Sequence, residues 1–414
     1  MKETIIHLIG VDSSGAFSDK ALALIRNAEA LVVSRRHQAR LVSILTDLPA
    51  LIPIAPVQTA LDQLALALQR GDVVVLATGD PLFFGIGRTL LHLFAPERIL
   101  IYPALSTMQL AFARFKIPWD DAAFLSLHGR TINNLAASIL SRDKIFLFTD
   151  QTNSPDLIAQ SLLAECGKEI NNQYIVHVAE NLGMDEERLH SGTLTDIAEQ
   201  TFSRLTVMIL VRNSAVAQSP AFGLTEDEII HSRGLITKNE VRAASLHNLR
   251  LPRQGVLWDI GAGSGAVGLE AARLFPKLQV CAVEQKDEQV ENIRRNRQHF
   301  QACNLQIFQG QAPEILTALP APDRVFIGGS GGQLQAIIKQ ATDRLLPGGR
   351  IVINAVLEKT AREAPRYLYE NGLRVNLTEL KVARQSYPQT RDCQTMHTIT
   401  IIVGQKINQE IKDE

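Results

Sequence analysis

Leu257-Trp258-Asp259-Ile260-Gly261-Ala262-Gly263-Ser264-Gly265-Ala266-Val267-Gly268-Leu269-Glu270-Ala271-Ala272 joins an apolar strand to a helix through glycines at alternate positions. Glycine at 261, 263 and 265 lets the backbone turn sharply at a strand end and come close to a ligand. The helix that follows offers free N–H groups and the positive end of its dipole. Such a stretch predicts an open α/β sheet with a nucleotide-type cofactor at the strand end.

Gly261-x-Gly263-x-x-Ala266 also satisfies the dinucleotide fingerprint, so the cofactor must be chosen from neighbouring residues. Asp259 stands directly before the loop, where its charge would repel a pyrophosphate but attract the ammonium or sulfonium of S-adenosylmethionine. Glu284 ends the next apolar run, Val280-Cys281-Ala282-Val283, at a spacing suited to accepting hydrogen bonds from ribose hydroxyls. These residues put S-adenosylmethionine ahead of NAD.

The 414 residues exceed one compact core and predict two or three domains. A hydrophobic content of 46% and a charged content of 21%, with no apolar run near the roughly 20 residues of a membrane span, predict a soluble globular protein with no membrane partner. The start, Met1 to Gly10, reads as a first strand and not as a leader, so a cytoplasmic location is expected. Cys166, Cys281, Cys303 and Cys393 are scattered without a Cys-x-x-Cys pair, which predicts buried thiols and no metal. A formal net charge of −1 gives no general attraction for phosphate backbones, so no nucleic-acid partner is expected and any acidic substrate must be met by local clusters.

In the first half, apolar runs alternate with amphipathic stretches: Thr4–Ile9, helix Ser18–Ala28, Ala30–Val33, helix Ala60–Gln69, Asp72–Ala77. The alternation predicts an α/β layer with a mainly parallel sheet, whose ligands lie beyond the strands' carboxyl ends. Gly10 closes the first strand, and Gly79-Asp80-Pro81 follows a buried one. Gly79 permits an unusual backbone angle, Pro81 stiffens the turn and Asp80 can accept a hydrogen bond.

Together with Gly85-Ile86-Gly87, Pro103-Ala104-Leu105-Ser106-Thr107, Ser126-Leu127-His128-Gly129-Arg130 and Phe148-Thr149-Asp150, this loop resembles the tetrapyrrole methylases, in the branch that methylates precorrins. The resemblance covers residues 1–212 and implies two lobes holding S-adenosylmethionine, with Gly79, Asp80, Ser106 and Thr107 at the cofactor. His128 and Arg130 are the candidates there for meeting substrate carboxylates. The loop Gly10-Val11-Asp12-Ser13-Ser14-Gly15 departs from the family's more glycine-rich version.

Thr206–Val211 reads as the last strand of this half, and the small, polar residues 213–221 read as a linker. Beyond it, Thr237 with Glu240 forms a capping-box pattern that predicts a helix from about Lys238. Lys238 and Arg242, spaced i and i+4, would share a face of that helix and could bind carboxylates. Further strands are expected at Val256–Ile260 and Leu305–Phe308, with Pro322–Gly332 as the fourth strand and its loop and Leu346–Ala355 as a turn and the fifth strand. The loop after the fourth, Gly328-Gly329-Ser330-Gly331-Gly332, has no Asn-Pro-Pro-Tyr and leaves room for a large flat ligand.

Within a second domain spanning 222–414, residues from about Gly223 to Val403 resemble the decarboxylating precorrin methyltransferases, carried by Gly234–Ala243, Asp259–Gly265, Gly310-Gln311-Ala312-Pro313-Glu314 and Pro322–Gly332. In one chain the two halves resemble the fused C(5,15)-methyltransferases of cobalamin biosynthesis. The implied fold class is α/β throughout: a two-lobed tetrapyrrole methylase fold, then a Rossmann-like class I methyltransferase domain. The implied reaction is methylation of carbon 5 by the first half and of carbon 15 by the second, with loss of carbon dioxide from the ring C acetate. The cofactor would be S-adenosylmethionine, one site per domain, and the resemblance also suggests a homo-oligomer. In the second half Asp259, Gly261, Gly263, Gly265, Glu284 and Ala312 would hold cofactor, Gly328, Gly329 and Ser330 would floor the substrate pocket, and Lys238 and Arg242 would anchor carboxylates. The sequence singles out no acid–base residue. The competing readings are a tetrapyrrole carrier with only the second half catalytic, and an RNA methyltransferase.

Overall fold

The computed structural model describes residues 3–12, 15–127, 129, 134–213, 220–385, 387 and 394–407. Cα proximity divides the chain into two compact units. The first comprises Met1–Thr131, Asp143–Gln160 and Tyr174–Arg212. The second comprises Asn213–Glu414 and also takes in Ile132–Arg142 and Ser161–Gln173.

The first unit holds two five-stranded sheets. One is wholly parallel, in the order β3-β2-β4-β1-β5, from β1 (Ile6–Val11), β2 (Ala30–Val33), β3 (Ala50–Pro53), β4 (Val73–Thr78) and β5 (Ile99–Tyr102). The central strand β4 is apolar from Val73 to Ala77 because both its faces are covered: Val73 and Val75 enter one core cluster, Val74 and Leu76 the other. The second sheet runs β6-β7-β10-β8-β9, from β6 (Ala123–Ser126), β7 (Lys144–Phe148), β8 (Tyr174–Glu180), β9 (Arg188–Gly192) and β10 (Thr206–Arg212). It is mixed, with β6 and β7 parallel and the remaining pairs antiparallel. Helix Thr107–Phe115 buries Met108 and Phe112 against Phe146, Val207 and Ile209 of this sheet.

The second unit is built on a seven-stranded sheet in the order β13-β12-β11-β14-β15-β19-β16. Its strands are β11 (Gln254–Ile260), β12 (Lys277–Glu284), β13 (Leu305–Gln309), β14 (Arg324–Ile327), β15 (Arg350–Ala355), β16 (Arg374–Leu380) and β19 (Ile399–Gln405). A separate ladder joins β17 (Ala383–Arg384) to β18 (Gln394–Thr395). Strands β11 to β15 are parallel, and β19 runs antiparallel to both its neighbours. The strand order reverses between β11 and β14, which opens a crevice beyond their carboxyl ends. Residue parity fills the two faces separately. Leu257, Val280, Ala282, Phe326 and Val352 face one core, while Trp258, Cys281, Val325 and Ile351 face the other.

Two local expectations change. The helix begins at Asn239 with Lys238 as N-cap, whose ammonium cannot accept a cap bond, and Glu240 accepts from Arg384 instead of closing a capping box. Within the second unit, Cys166 and Cys303 form a disulfide with Cα atoms 6.1 Å apart, a pairing that their sequence spacing did not reveal. Cys281 is a buried free thiol, and Cys393 lies outside the described residues. Among the described residues there is no cluster of potential metal ligands, and no helix is long and apolar enough to cross a membrane.

Candidate functional site

In the second unit a cavity of about 730 Å³ opens at the carboxyl edge of the sheet. Of the residues singled out from sequence, Gly261, Gly263, Glu284, Ala312, Gly328, Gly329, Ser330 and Lys238 line it. Gly261 has φ +66°, and a Cβ there would lie 2.4 Å from the Gly329 carbonyl oxygen. The loops after β11 and β14 therefore approach as closely as glycine allows. Glu284 sits at the end of β12, with Oε2 accepting from the Gly263 N–H at 2.9 Å and Oε1 from Gln285 and Lys286 N–H at 2.9 and 3.1 Å. Three bonds leave part of a carboxylate's acceptor capacity open toward the cavity, enough for a hydroxyl donor.

Asp259, Gly265 and Arg242 do not line the cavity. Asp259 is level with Ala282 in the β11–β12 register, two residues below Glu284, or about 7 Å deeper. There it lies under helix Ala266–Leu274, its Oδ2 accepting from the Gly268 N–H at 2.8 Å, and it is 1% exposed. Burial pushes its carboxyl up to about 7, with the nearby charge of Glu284 adding to the rise. It secures the start of the helix and does not reach a ligand's positive charge. Gly265, φ +75°, packs against Ile293.

Arg242 is the clearest correction. It is 1% exposed, its Nε donates to Glu270 Oε2 at 2.8 Å, and its other nitrogens reach the Thr237 and Leu224 carbonyls and Asn239 Oδ1. Glu270 accepts in turn from the Gly223 and Leu224 N–H groups. The guanidinium is spent inside the protein and cannot anchor a substrate. Lys238, outside the helix proper, points elsewhere: it lines the cavity and donates to Glu226 Oε2 at 2.5 Å.

The opposite wall was missed from sequence. Asn354 at the end of β15, then Val356, Thr395, Met396, His397 and Ile399 complete the cavity. Asn354 follows from the strand-end rule, and Ser245 holds its side chain, accepting from Nδ2 at 2.8 Å. Val356 follows β15 directly, Thr395 ends β18, and the rest come from the entry to β19, which is antiparallel and so begins where the parallel strands end, Thr400 pairing with Ala355. Arg384 on β17 ties this wall down, donating from Nε to Glu240 at 2.9 Å and from Nη2 to Glu226 at 2.7 Å. Hydrogen bonds from Lys238 and Arg384 lower the proton affinity of Glu226 against the opposing effect of its burial.

In the first unit the carboxyl ends of β1, β4 and β5 converge. A Cβ on Gly10 would lie 2.2 Å from the Gly79 carbonyl oxygen, and one on Gly79, φ +68°, would lie 3.0 Å from Ser106 Cα. Asp80 accepts from the Leu82 N–H at 2.8 Å and shapes its own turn. Ser106 caps helix Thr107–Phe115, with Thr107 as its first residue, and shares a capping box with Gln109. Gly79, Ser106 and Thr107 are thus brought together at one sheet edge, with Gly10 as the closest backbone approach. His128 and Arg130 lie outside the described residues. Between them, the Gly129 N–H donates to Asp150 Oδ2 at 2.7 Å, and this bond holds the Asp150 carboxyl below the usual carboxylate range, aided by Thr152 and Asn153.

Residues 9–198 match the family model described as tetrapyrrole (corrin/porphyrin) methylases, and residues 228–400 match the precorrin methyltransferase domain. A precorrin-6Y C(5,15)-methyltransferase [decarboxylating] from Sinorhizobium is 33% identical over 383 residues, covering 91% of this chain and 89% of that protein. A cobalt-precorrin-6B C(15)-methyltransferase (decarboxylating) from Salmonella typhi is 40% identical over 149 residues, 36% of this chain and 77% of that one. The crystal structure of a precorrin-6Y C5,15-methyltransferase from Geobacter metallireducens, at 40% identity, covers 46% of this chain and all of its own, with a TM-score of 0.45.

Proposed function

The chain belongs to the family of decarboxylating precorrin-6Y C(5,15)-methyltransferases, and from that membership we propose that it methylates one precorrin-type tetrapyrrole twice. One methyl group goes to carbon 5 through residues 1–212. The other goes to carbon 15 through residues 222–414, with loss of carbon dioxide from the ring C acetate, and residues 213–221 link the two halves. The donor is S-adenosylmethionine, one molecule per half. Readings of the chain as a tetrapyrrole carrier or an RNA methyltransferase find no support in a relative matched along both halves.

The residues of the second unit fit that donor. Gly261 and Gly263 present backbone without Cβ, and Glu284 keeps acceptor capacity at the position a ribose would take. When bound, S-adenosylmethionine supplies a methyl group already carrying a good leaving group, so no protein nucleophile is needed. What the chain's residues do is orient. Gly328, Gly329 and Ser330 leave a flat floor, and Lys238 meets a substrate carboxylate in competition with Glu226. In the first unit, Gly79, Asp80, Ser106 and Thr107 hold the other donor, and His128 and Arg130 meet carboxylates. Tight pairing of the carboxylates that stay and weaker pairing of the one that leaves favours the decarboxylating transition state.

The observation that carries this reading is the cavity itself, with Glu284 on one wall and a glycine floor between that wall and Asn354. Its test is mass spectrometry of the full chain with S-adenosylmethionine and a precorrin-6-type substrate. The expected product has gained two methyl groups and lost one carbon dioxide. A product with neither change contradicts the reading.

A further inference from the structure

We propose that His397 is the proton donor that completes decarboxylation in the second unit; this rests on the decarboxylating reading above. When an acetate side chain loses carbon dioxide, the electron pair of the broken C–C bond passes into the conjugated ring. It must return to the side-chain carbon and bond a proton there, which leaves a methyl group. One proton is therefore required at a carbon in the substrate half of the cavity, and no redox partner is involved.

Among the described residues, His397 is the one histidine lining the cavity, and the other charged groups there are Lys238, Glu284 and Lys286. Glu284 accepts from three backbone N–H groups and acts as an acceptor, not a proton source. Lys286 follows β12 on the same side as Glu284, and its own N–H donates to that carboxylate. Lys238 is engaged with Glu226. The hydroxyls of Thr237, Ser330 and Thr395 are too weakly acidic for the task. Imidazole is the side chain whose ordinary proton affinity suits acid–base work near neutral pH.

Placement agrees with chemistry. In the order β12-β11-β14-β15-β19, Glu284 marks one end of the crevice and the entry to β19 the other. His397 lies just before that entry, beyond the end of β15, with the glycine loops of β11 and β14 between it and Glu284. A donor cofactor on Glu284 and a macrocycle across the glycine floor would leave His397 against the macrocycle. The wall is held in place: the Met396 N–H donates to the Val382 carbonyl at 2.9 Å, and Arg384 binds Glu226 and Glu240. After transfer, the neutral imidazole regains its proton from water.

The test compares full-length wild type with H397N and H397A in single turnover, following carbon dioxide release, product mass and S-adenosylmethionine affinity. Loss of a general acid is expected to slow carbon dioxide release by about 100-fold or more, with cofactor affinity unchanged. The fall in wild-type rate with rising pH should flatten in H397N, and added imidazole should restore H397A in proportion to its protonated fraction. Wild-type rates in both variants, loss of cofactor affinity, or no response to imidazole would each overturn the proposal. A wild-type enzyme that releases no carbon dioxide would instead overturn the functional reading on which it stands.

Discussion

Asp259 and Glu284 show how little separates a structural carboxylate from a ligand-binding one. Both project to the same face of the second unit's sheet, yet the register sets Asp259 two residues lower, beneath the helix that Glu284 clears. Their predicted behaviour differs accordingly. The raised proton affinity of Asp259 means that the folded state holds a proton which the unfolded chain releases from about pH 4 upward. Stability linked to this group is therefore full at low pH and declines as pH rises toward about 7. Thermal unfolding of D259N between pH 4.5 and 8 should show a flatter pH dependence than wild type; an unchanged slope would contradict this. Replacing Glu284 removes a charged acceptor, so E284A should weaken S-adenosylmethionine binding at the second unit by roughly 10- to 100-fold, from ~1.5–3 kcal/mol for such a bond. Calorimetry reads that directly.

At the scale of elements, two ion pairs tie the helix Asn239–Leu249 to the rest of the second unit. Arg242 with Glu270 is buried, so R242M should destabilise this unit by ~3–5 kcal/mol through the stranded Glu270 charge. R242M with E270L should recover much of that loss. A variant that stays fully stable but binds substrate poorly would return Arg242 to the role of anchor. Arg384 with Glu226 and Glu240 is more exposed and holds a wall instead of a core. R384A should raise the KM for the tetrapyrrole several-fold while leaving cofactor affinity unchanged, as steady-state kinetics and calorimetry together would show. These pairings also mark where sequence reading stopped. The glycine loop and Glu284 were legible because they belong to one strand–turn–helix unit with fixed spacing. Arg242 was misread because its partner Glu270 stands on another helix, which spacing along one helix cannot show. Arg384 gave no signal, since a strand of two residues has no periodicity to detect, and His397 gave none because it lies in the short connection between β18 and β19.

For the whole molecule, the proposed function assigns two methyl transfers to separate sites in one chain. The fold supports separate sites because each unit brings glycine-rich strand ends together by itself: Gly10, Gly79 and Ser106 in the first, Gly261 and Gly329 in the second. The parallel sheets of both units were legible from the order of apolar runs, and their cores fill by the residue parity that such sheets require, whereas the mixed second sheet of the first unit was expected only from the family resemblance. The pairing of Cys166 with Cys303 was not legible, because it depends on which surfaces the fold brings together. If the sites are separate, disabling one must leave the other's product intact. The most direct measurement is therefore the mass of the product formed by full-length E284A from a precorrin-6-type substrate and S-adenosylmethionine at a concentration that saturates only the unaltered site. The prediction is a tetrapyrrole with one added methyl group, located at carbon 5, and all of its carboxylates. A product carrying both methyl groups, or no methylation at all, would contradict the assignment of two independent sites.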